Sequence, residues 1–172
     1  MCTLENIKIT IITPVYNRAE LLNRMAVHFS TIDYKNYYVH WLIVDDGSDE
    51  KLSLNFSFPD NILVEIMRQE NSGKHIAINN ALSYIKGEFS IIVDSDDYIN
   101  QRQLDNIMNT IEKYGEEYSC FIAYNENTLG VRLGDLSRYI PKIIKDDIFK
   151  IKGDYSRLIR SNIISKYRFD DY

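Results

Sequence analysis

Sulfur and imidazole are scarce in this chain: two cysteines, Cys2 and Cys120, and three histidines among 172 residues. Two cysteines make no disulfide framework, and three scattered histidines argue against a His/Cys zinc site, so a reduced cytosolic setting is expected. Long hydrophobic runs are missing as well. No stretch nears the roughly 18 apolar residues of a membrane span, and the N-terminus lacks a signal-peptide pattern. Positive charge is thin over most of the length. Residues 1–131 carry 10 Lys and Arg against 19 Asp and Glu, a net −9, whereas residues 132–172 carry 10 against 6, a net +4. A body at −9 would repel phosphate backbones, which speaks against nucleic acid as a partner. The basic segment is expected to be a solvated face, with phosphates or an anionic membrane surface as the alternative.

The composition that remains, 45% hydrophobic and 26% charged, is that of one soluble globular domain able to bury a core. Ile7 to Ile12 is a β-branched run that Pro14 should stop. Arg18 to about Ser30 sets Leu21, Leu22, Met25 and Phe29 at helical spacing. Strands are expected at Tyr38 to Val44, Ile62 to Met67, Phe89 to Val93 and Tyr118 to Tyr124. Helices are expected from Gly73 to Lys86, with Gly87 as its stop, and from Gln101 to Tyr114. This alternation predicts an α/β fold, a mostly parallel central sheet with helices on both faces. No repeat, low-complexity tract or linker interrupts it before about Asn127. Beyond that, Pro141, Gly153 and dense charge predict irregular structure with short elements, including a helix capped by Ser161.

Two of the strands run into acids. Ile91-Ile92-Val93 is followed by Asp94-Ser95-Asp96-Asp97, and Trp41-Leu42-Ile43-Val44 by Asp45-Asp46-Gly47-Ser48. The end of a strand is where an open α/β sheet binds its ligand, and clustered carboxylates there call for a positive charge among them. A hard divalent cation shared with substrate phosphates supplies it, which points to a phosphate-ester or nucleotide site. An Asp-x-Asp spacing on extended backbone would set Asp94 and Asp96 on one side. The competing structural reading is a solvated acidic turn, or an acidic N-cap for the helix after Tyr98. For Asp45 and Asp46 it is an Asp-Gly turn closed by their own side chains.

Ile11-Ile12-Thr13-Pro14-Val15-Tyr16-Asn17-Arg18, Val44-Asp45-Asp46-Gly47-Ser48, Gln69-Glu70-Asn71-Ser72-Gly73-Lys74-His75 and Val93-Asp94-Ser95-Asp96-Asp97 stand in this order. Together they resemble the family 2 glycosyltransferases of the GT-A fold, closely over residues 7 to about 125 and loosely beyond. The resemblance implies transfer of a sugar from a nucleotide-diphosphate donor, expected to be a UDP-sugar, to an acceptor hydroxyl with inversion. It implies a donor-binding GT-A core over residues 1–127 and the start of an acceptor-side region over 128–172. Thr13, Pro14, Val15 and Tyr16 would line the base and ribose pocket, with Asp45 or Asp46 accepting a hydrogen bond there. Asp94, Ser95 and Asp96 would form the metal motif, Asp94 and Asp96 binding Mn²⁺ or Mg²⁺. Gly73, Lys74 and His75 would face the diphosphate at a helix N-terminus, and Asn79 would pin the acidic loop. A surface Lys and a half-exposed His compete with that role for Lys74 and His75.

The chain departs from the family pattern at two places. Ile78 stands where many relatives carry an Arg before the Asn matching Asn79. The usual acidic pair of the catalytic base is missing between 126 and 172, since Asp170-Asp171 matches the approach to it, so the base is expected beyond Tyr172 in a longer protein. The expected acceptor is a surface polysaccharide, capsule or lipopolysaccharide glycan, or a lipid-linked form of one. The expected place is the cytoplasm, with Asp147 to Tyr167 covering the sheet or, as the alternative, resting on the inner face of the membrane. Two rival functions are a non-catalytic nucleotide-sugar binding module and a nucleotidyltransferase. The latter should carry a Gly-rich basic loop where Thr13-Pro14-Val15-Tyr16-Asn17 stands.

Overall fold

β-Branched and aliphatic runs make the strands, and their alternation makes two faces. A computed structural model describes residues 7–35, 37–124, 155–166 and 168. In chain order the elements are β1 (Ile7–Val15), α1 (Ala19–Thr31), β2 (Tyr38–Asp45), β3 (Ile62–Arg68), α2 (Lys74–Ala81), β4 (Phe89–Ile92), α3 (Gln101–Tyr114), β5 (Cys120–Tyr124), β6 (Tyr155–Arg160) and α4 (Ser161–Ile164). They form one sheet in the order β3-β2-β1-β4-β6-β5. β1 pairs in parallel with β2 and β4, β2 does so with β3, and β6 runs antiparallel to both β4 and β5.

Successive strand residues point to opposite faces, so strands buried on both sides are apolar throughout. Ile9, Ile11, Trp41, Ile43 and Phe89 meet Met25 and Phe29 of α1 and Leu104 and Met108 of α3 on one face. Trp41 stands edge-on to Phe29 with centroids 4.6 Å apart, and its indole N–H donates to Thr13 Oγ1 at 3.0 Å. On the other face Ile12, Leu42 and Val44 meet Ala77, Ile78 and Ala81 of α2. Burial of each such large side chain contributes about 1.5–3 kcal/mol, which holds the strand ends in fixed register. Among the described residues no helix is long and apolar enough to cross a membrane.

Five local expectations change. Pro14 does not stop β1, which runs to Val15. The helix from Lys74 ends at Ala81, tightens into a 3-10 turn over Leu82–Tyr84 and gives way to extended backbone at Ile85. Gly87 therefore stops no helix. Its N–H donates to Thr10 Oγ1 at 2.8 Å, and a Cβ there would lie 2.4 Å from the Ile9 carbonyl carbon, so glycine serves a close backbone approach. The stretch over 155–160 is a strand, β6, held by partners some seventy residues earlier in the chain. Ser161 begins α4 without capping it, because its hydroxyl is 2.7 Å from that of Ser90. The cap before α3 is Asn100, paired reciprocally with Gln103, which overturns the N-cap reading of the acids at 94–97.

A buried polar cluster lies beneath the 85–88 segment. The Thr10 hydroxyl accepts the N–H groups of Lys86 and Gly87 and lies 3.3 Å from His40 Nδ1. His40 Nε2 is 2.9 Å from Glu65 Oε2, poorly aligned for a hydrogen bond, and Glu65 also pairs with Lys86. Burial, with Lys86 nearby, pushes the His40 imidazole down to about 4.

The boundary expected at 127/128 lies outside the described residues, as do Asp170-Asp171 and the side chains of Tyr124, Tyr139, Tyr155 and Tyr167. Within Asp147 to Tyr167, Leu158 is in the core, while Ile159 and Ile164 pack in the α2-side cluster. What is described of that segment belongs to the sheet and its cover.

Candidate functional site

The chain visits β1, β2 and β3 on one side of β1 and then crosses through α2 to β4 on the other side. A sheet that reverses order in this way opens a crevice at the carboxyl ends of the two central strands. Here the opening has a visible cause. The β1–β4 ladder ends at Ile12↔Ile92, with one further bond from the Val93 N–H to the Ile12 carbonyl at 2.9 Å. The β1–β2 ladder continues to Val15↔Asp45, and the Val15 carbonyl accepts the Asp46 N–H at 2.8 Å. Neighbouring residues of a strand face opposite sides, so the nitrogen of Pro14 faces β4, where no ladder needs a donor. The strands part at Pro14.

The loops after β1, β2 and β3 floor this crevice and are tied to one another. Asp45, only 1% exposed, accepts Arg68 Nη1 at 2.8 Å on one oxygen and the Ser48 N–H at 2.9 Å on the other. Arg68 is placed there by register, since Asp45↔Arg68 is the last β2–β3 pair, and its other nitrogen donates to the Ser48 carbonyl at 2.6 Å. Asp46 reaches the loop before α2: one oxygen accepts Gln69 Nε2 at 2.7 Å and the Ser72 N–H at 2.9 Å, the other the Gly73 N–H at 2.9 Å. Gly47, at φ 76°, passes so close that a Cβ would lie 2.5 Å from the Asn71 nitrogen. Hydrogen bonds to a carboxylate are about twice as strong as neutral ones, so these acids clamp two loops firmly.

Asn17 performs a similar task at the end of β1. It adopts φ 53°, its N–H donates to Ser48 Oγ at 2.9 Å, and its side-chain amide exchanges two hydrogen bonds with Asp49. Asn tolerates this left-handed backbone better than most residues. The turn aims Arg18 across the crevice, where Nη1 donates to Asp96 Oδ2 at 3.1 Å. From the other face of the sheet, Lys74 at the start of α2 donates through Nζ to Asp94 Oδ2 at 2.6 Å. The backbone between the two acids turns, the Asp97 N–H donating to the Asp94 carbonyl at 3.0 Å. Asp94 and Asp96 thus sit on a turn with a different cation beside each, which replaces the extended one-sided placement expected of them.

A sequence model described as glycosyl transferase family 2 matches residues 10–169. The chain belongs to that family. Glycosyltransferase GlyA of Streptococcus pneumoniae serotype 4 is 32% identical over 125 residues, 70% of this chain and 18% of that protein. An undecaprenyl-phosphate 4-deoxy-4-formamido-L-arabinose transferase of Enterobacter sp. is 27% identical over 163 residues, covering 90% and 48%. S. aureus TarS 1-349 superposes with a TM-score of 0.64 at 21% identity over 96% of this chain and 51% of that one, which shows the fold to be GT-A. The chain spans less than half the length of these two curated relatives.

The family 2 motifs all reach the crevice, but not every side chain faces it. Thr13, Pro14 and Val15 are buried at the crevice end of β1, the Thr13 hydroxyl being occupied by Trp41. Tyr16 is 45% exposed at its rim. Gly73, at φ 94°, Lys74 and the half-buried His75 lie where α2 begins, with Asn79 half-buried further along that helix. Ser95 is buried between the two acids of the turn. Sequence reasoning gave no role to Arg68 and none in this site to Asn17 or Arg18. Arg68 is found only through strand register. For Arg18 a signal was there, a cation directly behind the Pro14-Val15-Tyr16-Asn17 turn.

Mg²⁺ or Mn²⁺ would find suitable donors here. Asp94 and Asp96 offer hard carboxylate oxygens on side chains 40% and 56% exposed, and such ions take one or two carboxylates and leave the remaining positions to phosphates and water. Among the described residues no group of three His, Cys, Asp or Glu competes as an all-protein cage. The two ion pairs are exposed and worth about 0.2–1 kcal/mol each, small enough for an incoming divalent ion to displace.

Proposed function

We propose that this chain forms the donor-binding part of a metal-dependent, inverting glycosyltransferase that takes a UDP-sugar and transfers the sugar to an acceptor hydroxyl. The observation that carries the reading is convergence. Four motifs from separate parts of the sequence meet at one crevice, which offers exposed carboxylates, two cations and a helix N-terminus together. In support, the structural neighbour TarS has been solved with UDP-GlcNAc. The backbone of Thr13 to Val15 and the ring of Tyr16 receive the nucleoside, and Asp45 and Asp46 hold the loops that shape its pocket. Gly73, Lys74 and His75 face the diphosphate, where the N–H groups and dipole of α2 favour an anion. Asn79 pins the acidic loop by a hydrogen bond. A divalent cation at Asp94 and Asp96 supplies Lewis-acid stabilisation of the negative charge on the departing diphosphate.

The acceptor proposed is a surface glycan or its lipid-linked precursor, consistent with the polyprenyl phosphate in the name of the Enterobacter relative. We place the reaction in the cytoplasm, with acceptors met at the inner membrane face. The general base that deprotonates the acceptor hydroxyl, opposite the leaving group, is placed outside the described residues. Replacing Asp96 tests the metal assignment. Asp96→Ala abolishes Mn²⁺-dependent UDP binding in calorimetry and leaves the melting point nearly unchanged, since the acid is exposed and clustered with others. Undiminished UDP affinity in that variant would sink the assignment.

A further inference from the structure

We propose that Arg18 is a two-position residue, a partner of Asp96 when no metal is bound and a donor-positioning group when metal and nucleotide are; this rests on the donor-site reading above. The cations Arg18 and Lys74 neutralise Asp96 and Asp94 one to one, each within ion-pair distance. A divalent ion arriving at the same two carboxylates must displace both. The displaced cations stay at the rim, because their backbones are fixed. Arg18 follows Asn17, which is locked to Ser48 and Asp49, and Lys74 follows Gly73, which is locked to Asp46. A guanidinium freed from a carboxylate beside a bound diphosphate has a new oxygen partner in reach, and its planar fork suits phosphate as well as it suits carboxylate.

Lys74 is the cation already expected to face the diphosphate from the α2 side. Arg18 approaches from the α1 side, so the two would hold the diphosphate between them. Metal and nucleotide then bind with mutual reinforcement. Each cation that the metal evicts is recovered by the diphosphate, and the coupling is the same whichever ligand binds first.

Removing Arg18 should act in opposite directions on the two ligands. Arg18→Ala removes a competitor for Asp96, so Mn²⁺ alone, titrated by electron paramagnetic resonance, binds up to about fivefold more tightly than to the parent chain. The same variant loses a charged contact to the diphosphate, so UDP at saturating Mn²⁺ binds about tenfold more weakly by calorimetry. Arg18→Lys keeps the charge but not the fork, so it stays close to the parent in the Mn²⁺ titration and falls between the parent and Arg18→Ala in the UDP titration. A residue that only supported the loop would weaken both ligands together. Weaker Mn²⁺ binding, or unchanged UDP affinity, in a folded Arg18→Ala chain would overturn the inference while leaving the donor site standing. A parent chain that binds neither Mn²⁺ nor UDP would overturn both.

Discussion

Replacing Asp46 by Asn is a near-isosteric change that tests whether the crevice is preassembled. The carboxylate of Asp46 is buried and accepts three N–H groups, Gln69 Nε2 and Ser72 N on one oxygen and Gly73 N on the other. An asparagine in the same place keeps one oxygen and turns an NH₂ toward the remaining donor. Its best orientation retains the Gln69 and Ser72 bonds and sets its amide against the Gly73 N–H. One charge-assisted hydrogen bond is lost, the others become neutral, and a half-buried N–H is left facing a donor. The cost is about 1.5–3 kcal/mol. For a domain of this size that lowers the melting temperature by about 4–10 °C. The loop thus loosened carries Gly73 and Lys74, so UDP affinity falls as well. Circular-dichroism melts and UDP calorimetry on the same samples check both effects. A melting point within about 1 °C of the parent, with unchanged UDP affinity, would refute the clamp.

Acid should destabilise the fold through His40. Its imidazole refuses a proton until about pH 4, while the unfolded chain accepts one near 6.5, so stability is lost as pH falls through that window, by up to about 3 kcal/mol. Glu65 acts in the same direction at lower pH: burial raises its carboxyl, but the hydrogen bond and charge of Lys86, with His40 beside it, outweigh this and hold it below its ordinary value. Melts between pH 7 and 4.5 should show this fall in the parent and a flatter profile in His40→Leu; equal slopes would contradict the assignment. Gly87→Ala should cost about 3 kcal/mol, read from the denaturant midpoint, because the new methyl meets the Ile9 and Thr10 backbone rather than a movable side chain. A variant as stable as the parent would show that β1 and the 85–88 segment separate freely.

The parts of the fold that could be read from the sequence are those governed by local pattern. β1 and β2 announce themselves as apolar runs because these parallel strands are buried on both faces, β3 shows a shorter apolar run at the edge of the sheet, and α1 and α3 keep a 3.6-residue stripe. β6 does not announce itself. Tyr155–Arg160 mixes polar and apolar residues, and its partners are β4 and β5, far away in the chain. What holds it is tertiary: Arg160 pairs with Glu88 at 3.0 Å and covers the Phe89 ring at 4.7 Å. The same division runs through the site. The acids and the Gly-Lys-His run are visible as motifs. Which of their carboxylates are engaged by loops and which stay open depends on register and on side chains from other strands. Asp45 is taken by Arg68 and Asp46 by the loop before α2, whereas Asp94 and Asp96 remain half-exposed, paired only with surface cations. Gly87 misled because a glycine after an apolar helical stripe usually ends a helix, and only the packed structure reveals the backbone beneath it.

The central claim is that the crevice at the carboxyl ends of β1 and β4 binds a nucleotide diphosphate with a divalent cation. Calorimetric titration of the folded chain with UDP, GDP and CDP, each with Mn²⁺ and again with EDTA, tests it most directly. The expected result is saturable UDP binding with Mn²⁺, lost in EDTA, and weaker binding of the other two. Equal binding with and without metal, or no binding of any of the three, would contradict it.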